Sequence, residues 1–277
     1  MPPATFSIVA ADLERREWGV AVASRFLAIG ALSAWAEPEV GAIATQAWIK
    51  ASYGEEGLAL LRQGLSAQET VDRLIADDDD RERRQLGVVD REGNVASYTG
   101  SRCLAWAGSR LGRGYAVQGN LLVSCATVDA TAEAFEQGEG APLAERLLAA
   151  LAAGQAAGGD RRGQQSAALR VGNADGGYGG WKLSVDLRVD DGPEPIKELE
   201  RLYRLHELYF GSTPQSEWIE VTPALCAEIR ERLDRLGYRT GDITADLDAW
   251  AGTENLEERV RGIERLDPVV LAELRRK

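Results

Sequence analysis

A threonine near the start of the chain, in the segment MPPATFSIVA, is placed where it could act as a nucleophile. Thr5 opens a run of apolar residues that is typical of a buried strand. A hydroxyl group attacks poorly until a base removes its proton, and in one class of enzymes that base is the free α-amine of the same threonine. The alternative is a polar residue that merely begins a strand. Thr5 therefore has two interpretations at this stage.

The scarcity of histidine limits the acid–base chemistry to be considered. His206 is the single histidine and lies in LERLYRLHELYF, whose apolar spacing predicts an amphipathic helix. A Ser-His-Asp triad and a histidine-based zinc site are therefore disfavoured. Cys103, Cys125 and Cys226 are widely spaced and odd in number, which indicates neither a disulfide framework nor a metal site. We expect no metal and no cofactor.

The densest polar segment is AGGDRRGQQSAAL, which joins a predicted helix to a predicted strand. Its composition alone favours a flexible surface loop. So many polar groups in a short span are costly to bury unless they pair with one another or bind a ligand, which is the alternative. The side chains concerned are Asp160, Arg161, Arg162, Gln164 and Gln165. Gln164 and the nearby Ser166 are taken as candidate substrate-binding residues.

Other polar residues stand where apolar strands are predicted to end. Each alone is weak evidence, because such residues are common at strand ends. Together they place polar groups at strand termini, where a sheet presents ligands. We take as candidate substrate-binding residues Ser24, Arg25, Thr45, Gln46, Thr99, Gln118 and Asn120.

Two carboxylates precede a predicted helix in DLRVDDGPEPIKEL. Capping of that helix by Asp190 or Asp191 is the favoured interpretation. The alternative is a carboxylate pair that serves a metal or acts as a base. Asp190 is kept among the candidate substrate-binding residues.

The predicted elements occur in clusters of strands and clusters of helices. TFSIVAAD and EWGVAVASRF predict a hairpin, VGAIATQAW a further strand, and YGEEGLALLRQG and SAQETVDRLIADDDD two helices, the second opened by a Ser-x-x-Glu capping box. Strands, two helices, two strands and a helix follow. This order favours an α+β fold in which antiparallel sheets are covered by paired helices. Strands apolar at nearly every position belong inside a layered stack.

Composition and charge exclude some partners. The chain has 277 residues, 44% hydrophobic and 27% charged, with a net charge of -12. So acidic a composition argues against nucleic acid as a partner, because phosphate binding needs a clustered basic surface. The first residues do not show a basic leader followed by an apolar core, so we expect a cytoplasmic protein with no membrane partner.

A change of composition after Phe210 indicates a second domain. GSTPQSEW has the character of a linker, and three helical patterns follow it. We expect one domain over residues 1–211 and a small helical domain over residues 212–277.

The chain resembles a known family at several of these segments. TFSIVAAD, GVAVASRFLAIGA, GAIATQAW, RQLGVVD, QGN, GGDRRGQQSAAL and DLRVDDGPEPIKELERL resemble, in this order, a bacterial domain-of-unknown-function family, number 1028, which is grouped with the N-terminal-nucleophile (Ntn) hydrolases. The resemblance covers about residues 4–211 and implies a four-layer αββα sandwich. The C-terminal part is similar to the peptidoglycan-binding-type module often fused to this family.

The resemblance also implies a chemistry. Members of the wider superfamily are mostly amidohydrolases with an N-terminal Thr, Ser or Cys, and Thr5 takes that position here. Asp160 with Arg162 would orient the substrate, a small amide or peptide-like molecule, or the nucleophile, and backbone N–H groups near Gly119 or Gly159 would form an oxyanion hole. Loss of the initiator methionine exposes a proline, so a further cut directly before Thr5 is required to free its amine.

Other functions remain open at this stage. A ligand-binding or scaffold protein on the same fold needs no cleavage and no hydrolysis. Cell-wall recognition by residues 215–277 is a third hypothesis, and the missing export signal argues against it. Strands apolar on both faces and an added helical module are compatible with a homodimer.

Overall fold

The computed structural model describes residues 5–277, so the predicted cut after Ala4 lies outside the described residues. The chain divides into two compact units, and the second comprises Tyr203–Lys277. The strands of the first unit are β1 (Thr5–Asp12), β2 (Glu17–Ser24), β3 (Ala34–Glu37), β4 (Gly41–Ala47), β5 (Arg84–Asp90), β6 (Val95–Thr99), β7 (Gly108–Gly112), β8 (Tyr115–Asn120), β9 (Ser166–Asn173) and β10 (Leu183–Val189). The helices that begin in it are α1 (Ile29–Ser33), α2 (Ser52–Arg62), α3 (Ala67–Ala76), α4 (Ala126–Gln137), α5 (Leu143–Ala156) and α6 (Pro195–Phe210).

The strands form two antiparallel sheets that pack face to face. One has the order β10-β9-β2-β1-β8-β7 and the other the order β3-β4-β5-β6. Helices α4 and α5 cover the outer face of the first sheet, and α2 and α3 cover that of the second. The predicted four-layer αββα sandwich is confirmed. Each sheet lies between helices and another sheet, which explains strands that are apolar on both faces.

Alternation along β1 determines which side chains face the second sheet. Phe6 points toward the helices. Its ring lies against Gly154 of α5, and a Cβ added to Gly154 would stand 3.0 Å from the ring. Val9 packs into the cluster between the sheets, with Ala44 and Val89 of the second sheet. Successive strand residues point to opposite faces, so Thr5 occupies the same face as Val9, the one toward the second sheet.

Close approach of the two sheets depends on a glycine in β5. A Cβ on Gly87 would stand 2.1 Å from Oε1 of Gln118 in β8, so only a residue without a side chain leaves room for that amide. We expect Gly87→Ala to destabilise the sandwich by about 1–3 kcal/mol, as overpacking does in other cores. Urea unfolding measures the effect. Gly192→Ala is the control, because its Cβ would meet its nearest neighbour at 3.7 Å, and an equal loss in both variants would contradict the explanation.

The second unit, Tyr203–Lys277, is mainly helical. It contains α7 (Pro223–Leu236), α8 (Ile243–Thr253), α9 (Pro268–Arg276) and two short paired strands, β11 (Ile219–Glu220) and β12 (Arg265–Leu266). Thr222, Asp242 and Asp267 cap the three helices with their side-chain oxygens. Trp250 is 1% exposed and lies in the core. The division between the units falls inside α6, before the domain boundary expected at residue 211.

Candidate functional site

A polar layer lies between the two sheets at one end of the sandwich. The first sheet contributes four residues that stand side by side on adjacent strands, because Thr5 pairs with both Asn120 and Ser24, and Ser24 pairs with Ser166. All four are buried. Alternation along their strands places them on the face toward the second sheet. The sequence-predicted residues Thr5, Ser24, Asn120 and Ser166 are thus brought together.

The second sheet contributes the opposing row. Gln46 pairs with Gln85, and Gln85 pairs with Thr99. The Gln85 amide oxygen accepts hydrogen bonds from the side-chain amides of Gln46 (2.8 Å) and Asn120 (2.9 Å). Its amide nitrogen donates to Thr99 Oγ1 (3.0 Å) and to the carbonyl of Gly119 (2.8 Å). Gln85 therefore connects the two rows across the space between the sheets.

Thr5 is held on both its side chain and its backbone. It is fully buried, and its Oγ1 donates to Ser24 Oγ at 3.1 Å. Gln46 Nε2 donates to the Thr5 carbonyl oxygen at 3.2 Å. These contacts fix the direction of the hydroxyl. A serine hydroxyl is not a general base by itself, so the Thr5–Ser24 contact does not activate the oxygen.

A second polar pair, Ser7 with Gln118, lies one step further into the sandwich. Ser7 Oγ donates to the Gln46 amide oxygen and accepts from Gln118 Nε2, both at 2.6 Å. Gln118 Oε1 is buried and has no hydrogen-bond partner within the described part of the chain. An unpaired buried acceptor lowers the stability of the fold. The polar residue is therefore present here although it is unfavourable for stability.

The loop at residues 160–165 crosses the end of the first sheet beside this layer. Asp160 accepts hydrogen bonds from the backbone N–H groups of Arg25 (2.8 Å) and Arg162 (2.9 Å). It also accepts from Arg162 Nε (3.1 Å) and Nη2 (2.9 Å). Its side chain is 1% exposed. The Gln165 N–H bonds the Ser24 carbonyl at 3.0 Å, so the loop is attached to the strand that faces Thr5.

Ser166, at the edge of the polar layer, and the remaining sequence-predicted residues make other contacts. Ser166 Oγ donates to the Phe26 carbonyl at 2.5 Å and accepts from the Ile29 N–H at 3.1 Å, which shapes the turn after β2. Gln164 is half-buried in the loop. Thr45 is buried but its Oγ1 donates to the Lys50 carbonyl at 3.4 Å, outside the polar layer.

Neither Asp190 nor the expected oxyanion donor Gly159 joins the polar layer. Asp190 is exposed and pairs with Arg188 at 3.4 Å. The Gly159 N–H donates to Thr127 Oγ1 (3.1 Å) and to the Gly154 carbonyl (3.2 Å), so it is already engaged. Gly119 lies within the first sheet, paired on both sides. An oxyanion donor at Gly159 would require these bonds to break.

Two functional candidates, Ser7 and Gln85, were missed from the sequence. Both lie inside apolar strand segments, SIVAA and RQLGVVD, where a polar residue reads as part of a strand. The sequence did contain an indication of the role of Gln85. A side-chain amide on a strand that is buried on both faces must find a hydrogen-bond partner there.

Cys103 and the acidic side chains offer neither a second nucleophile nor a metal site within residues 5–277. Burial raises the pKa of the Cys103 thiol to about 11, so it is protonated at neutral pH and is a poor nucleophile. Within residues 5–277, no group of three His, Cys, Asp or Glu side chains is placed to hold a metal ion. In the same range, no helix has the length and apolar character needed to span a membrane.

Comparison with known proteins places the first unit. A family model described as "Family of unknown function (DUF1028)" matches residues 5–199. The chain belongs to the DUF1028 family. The crystal structure of a DUF1028 protein from Silicibacter pomeroyi is similar to it, with 34% sequence identity and a TM-score of 0.67. The similarity covers 74% of this chain and 89% of that one.

The C-terminal part of this DUF1028 protein matches a second family model. Residues 214–274 match the model described as "Putative peptidoglycan binding domain". A search of curated protein sequences returned no match. The two family models thus account for the sandwich and for most of the helical unit.

Proposed function

We propose that this DUF1028 protein is an Ntn-type hydrolase that cleaves a small amide or peptide-like substrate with Thr5 as its nucleophile. The observation that supports this function is the position of Thr5. It opens a central strand of an αββα sandwich, and its hydroxyl is directed by Ser24 inside a layer of polar groups. The chemistry needs no histidine near Thr5, in keeping with a chain that has one histidine, in α6.

The reaction depends on a free amine at Thr5. Cleavage of the Ala4–Thr5 bond exposes an α-amine, whose ordinary pKa of about 7.7–8.0 suits a base near neutral pH. The amine takes the Oγ1 proton while Oγ1 attacks the substrate carbonyl carbon. The C–N bond then breaks, the leaving amine receives that proton, and an ester to Thr5 remains. Water, deprotonated by the same amine, hydrolyses the ester and restores the hydroxyl.

The neighbouring groups have positioning roles in this scheme. Ser24 directs the hydroxyl, and Gln46 holds the Thr5 carbonyl. Asp160 fixes the backbone at Arg25, directly after Ser24, through the Arg25 N–H. Arg162 neutralises the Asp160 carboxylate at 2.9 Å. Asp160 is thereby committed to Arg162 and to backbone N–H groups, which suits it to holding the site together.

The mature N-terminus tests the proposal. Mass spectrometry of the purified protein is expected to find a chain that begins at Thr5. Hydrolysis of a library of small amides is expected in the wild type, to be lost by at least about 1,000-fold in Thr5→Ala, and to be partly retained in Thr5→Ser, because serine keeps the hydroxyl. Thr45→Ala is the matched control, a buried strand threonine outside the polar layer. An intact Ala4–Thr5 bond, with turnover unchanged in Thr5→Ala, would reject the nucleophile.

A second candidate function is a ligand-binding protein on the same scaffold. Complete burial of Thr5 favours it, because a buried hydroxyl does not meet a substrate until the site opens. In that case the polar layer stabilises a pocket, and binding of a small metabolite survives Thr5→Ala. Thermal stabilisation by a ligand that is equal in wild type and Thr5→Ala, without turnover, distinguishes this function from hydrolysis.

A further inference from the structure

Two exposed arginines flank the end of the sheet at which Thr5 lies. Arg25 directly follows Ser24, the residue opposite Thr5, and Arg161 directly follows Asp160 in the crossing loop. Neither guanidinium has a carboxylate within ion-pair distance among residues 5–277. Both charges are therefore available to a ligand, in a protein whose net charge is -12.

The backbones that carry these arginines are fixed. The Arg25 N–H bonds the Asp160 carboxylate at 2.8 Å, and the Arg161 N–H bonds the Leu121 carbonyl at 3.1 Å. The Arg25 guanidinium lies beside Gly163, where a Cβ would stand 3.3 Å from Nη1. Gly163 has φ +105°, a conformation that favours glycine, so this part of the loop leaves the guanidinium uncovered by a side chain.

The nearby carboxylates are already committed. Asp160 is buried and paired with Arg162 at 2.9 Å. Asp191 accepts a hydrogen bond from Gln165 Nε2 at 3.0 Å. An anion that approaches a chain of net charge -12 is repelled over most of its surface, and uncompensated cations create a local exception.

We propose that the Thr5 site selects substrates that carry a free carboxylate close to the scissile amide, bound by Arg25 with help from Arg161. This inference rests on the proposed function and names the substrate class of that site. Arg25 directly follows the last residue of β2, about 3.3 Å beyond the position opposite Thr5, and its guanidinium lies beside Gly163 of the loop that crosses this end of the sheet. Its side chain can therefore reach a carboxylate on the same residue that carries the amide. The guanidinium fork matches a carboxylate in two parallel hydrogen bonds, which gives the geometry its selectivity.

Paired ligands test the proposal without turnover. The probes are N-acetyl-L-alanine, N-acetyl-L-leucine and N-acetyl-L-phenylalanine, each compared with its carboxamide. Calorimetry measures their binding to the Thr5→Ala protein, whose N-terminus is verified by mass spectrometry. We expect at least one acid to bind about 10- to 100-fold more tightly than its carboxamide, as a charge-assisted pair allows. Arg25→Gln is expected to abolish that preference and Arg161→Gln to reduce it. Arg73→Gln, an exposed arginine on α3, is the control and should change nothing.

Each outcome separates this inference from the proposed hydrolysis. Equal affinity for acid and carboxamide, an acid preference that survives Arg25→Gln, or no binding by any pair would overturn the carboxylate selectivity. Carboxylate-selective binding that depends on Arg25, in a wild type that hydrolyses no probe, would support the inference and count against the hydrolase. Hydrolysis by the wild type that is unchanged in Arg25→Gln would support the hydrolase and count against the carboxylate selectivity.

Discussion

Replacing Arg259 with alanine is expected to unfold the C-terminal unit and to leave the sandwich folded. Arg259 is 5% exposed and its Nη1 lies 2.9 Å from the carboxylate of Asp267, which is 1% exposed. The same guanidinium donates to the carbonyls of Glu207 (2.5 Å) and Leu208 (2.7 Å). Truncation therefore leaves a buried carboxylate without its cation and two carbonyls without a donor.

The size of the unit makes this loss decisive. Removing one partner of a buried ion pair costs about 3–5 kcal/mol, and the core of a unit this small contributes about that much. Asp267 also caps α9 through the Val269 N–H at 2.8 Å, so the disturbance reaches a helix. Loss of the pair is expected to remove the whole stability of Tyr203–Lys277.

Limited proteolysis and circular dichroism measure this effect. We expect rapid cleavage within the second unit, loss of its helical circular dichroism signal, and a protease-resistant fragment that corresponds to the sandwich. Arg235→Ala is the control, because Arg235 is exposed and pairs with Glu231 on the surface of α7, where such a pair contributes about 0–1 kcal/mol. A C-terminal unit that stays protease-resistant in Arg259→Ala would contradict the assigned role of the pair.

Asp160→Ala is expected to destabilise the sandwich by about 3–5 kcal/mol, because the backbone N–H groups of Arg25 and Arg162 each lose a charged acceptor, at about 1.5–3 kcal/mol per hydrogen bond. Arg162 is 24% exposed at its side chain, which places the cost at the lower end of that range. The loop at residues 160–165 also loses its attachment to β2 at Arg25. We therefore expect processing before Thr5 and binding of carboxylate probes to be lost together with stability.

Urea unfolding and N-terminal mass spectrometry test this prediction. Asp190→Ala is the matched control, since Asp190 is an exposed carboxylate paired with Arg188 at the surface. It should change stability by less than about 1 kcal/mol. Similar stability in Asp160→Ala and the wild type would mean that water replaces the carboxylate, and the positioning role of Asp160 would be wrong.

Local sequence signals predicted the elements well where a periodic pattern or a cap was present. The hairpin of β1 and β2 is confirmed, and so is the capping box that opens α3 at Ser66 and Glu69. Short elements were missed. Strand β7, GSRLG, carries two glycines and no clear alternation, and α1 and β3 have five and four residues, too few for a period to show.

The candidate site could be predicted only in part, because it is assembled by pairing between strands. Thr45 and Gln46 are adjacent and equally polar, yet the pleat directs Gln46 to the other sheet and Thr45 away from it. Which of the two joins the polar layer depends on how β4 pairs with its neighbouring strands, and the sequence of β4 alone does not determine that register. Gln85 was missed for the same reason, since its partners come from strands remote in sequence.

The amide of Gln46 limits how the two sheets can move. Its Nε2 donates to the carbonyls of Thr5 and Gln118, on neighbouring strands of the opposite sheet, and its Oε1 accepts from Ser7. A sideways slip of one sheet over the other by a single residue would separate all of these bonds at once. The sandwich therefore resists shear at the end that holds Thr5, so the Thr5 hydroxyl keeps its place relative to the second sheet.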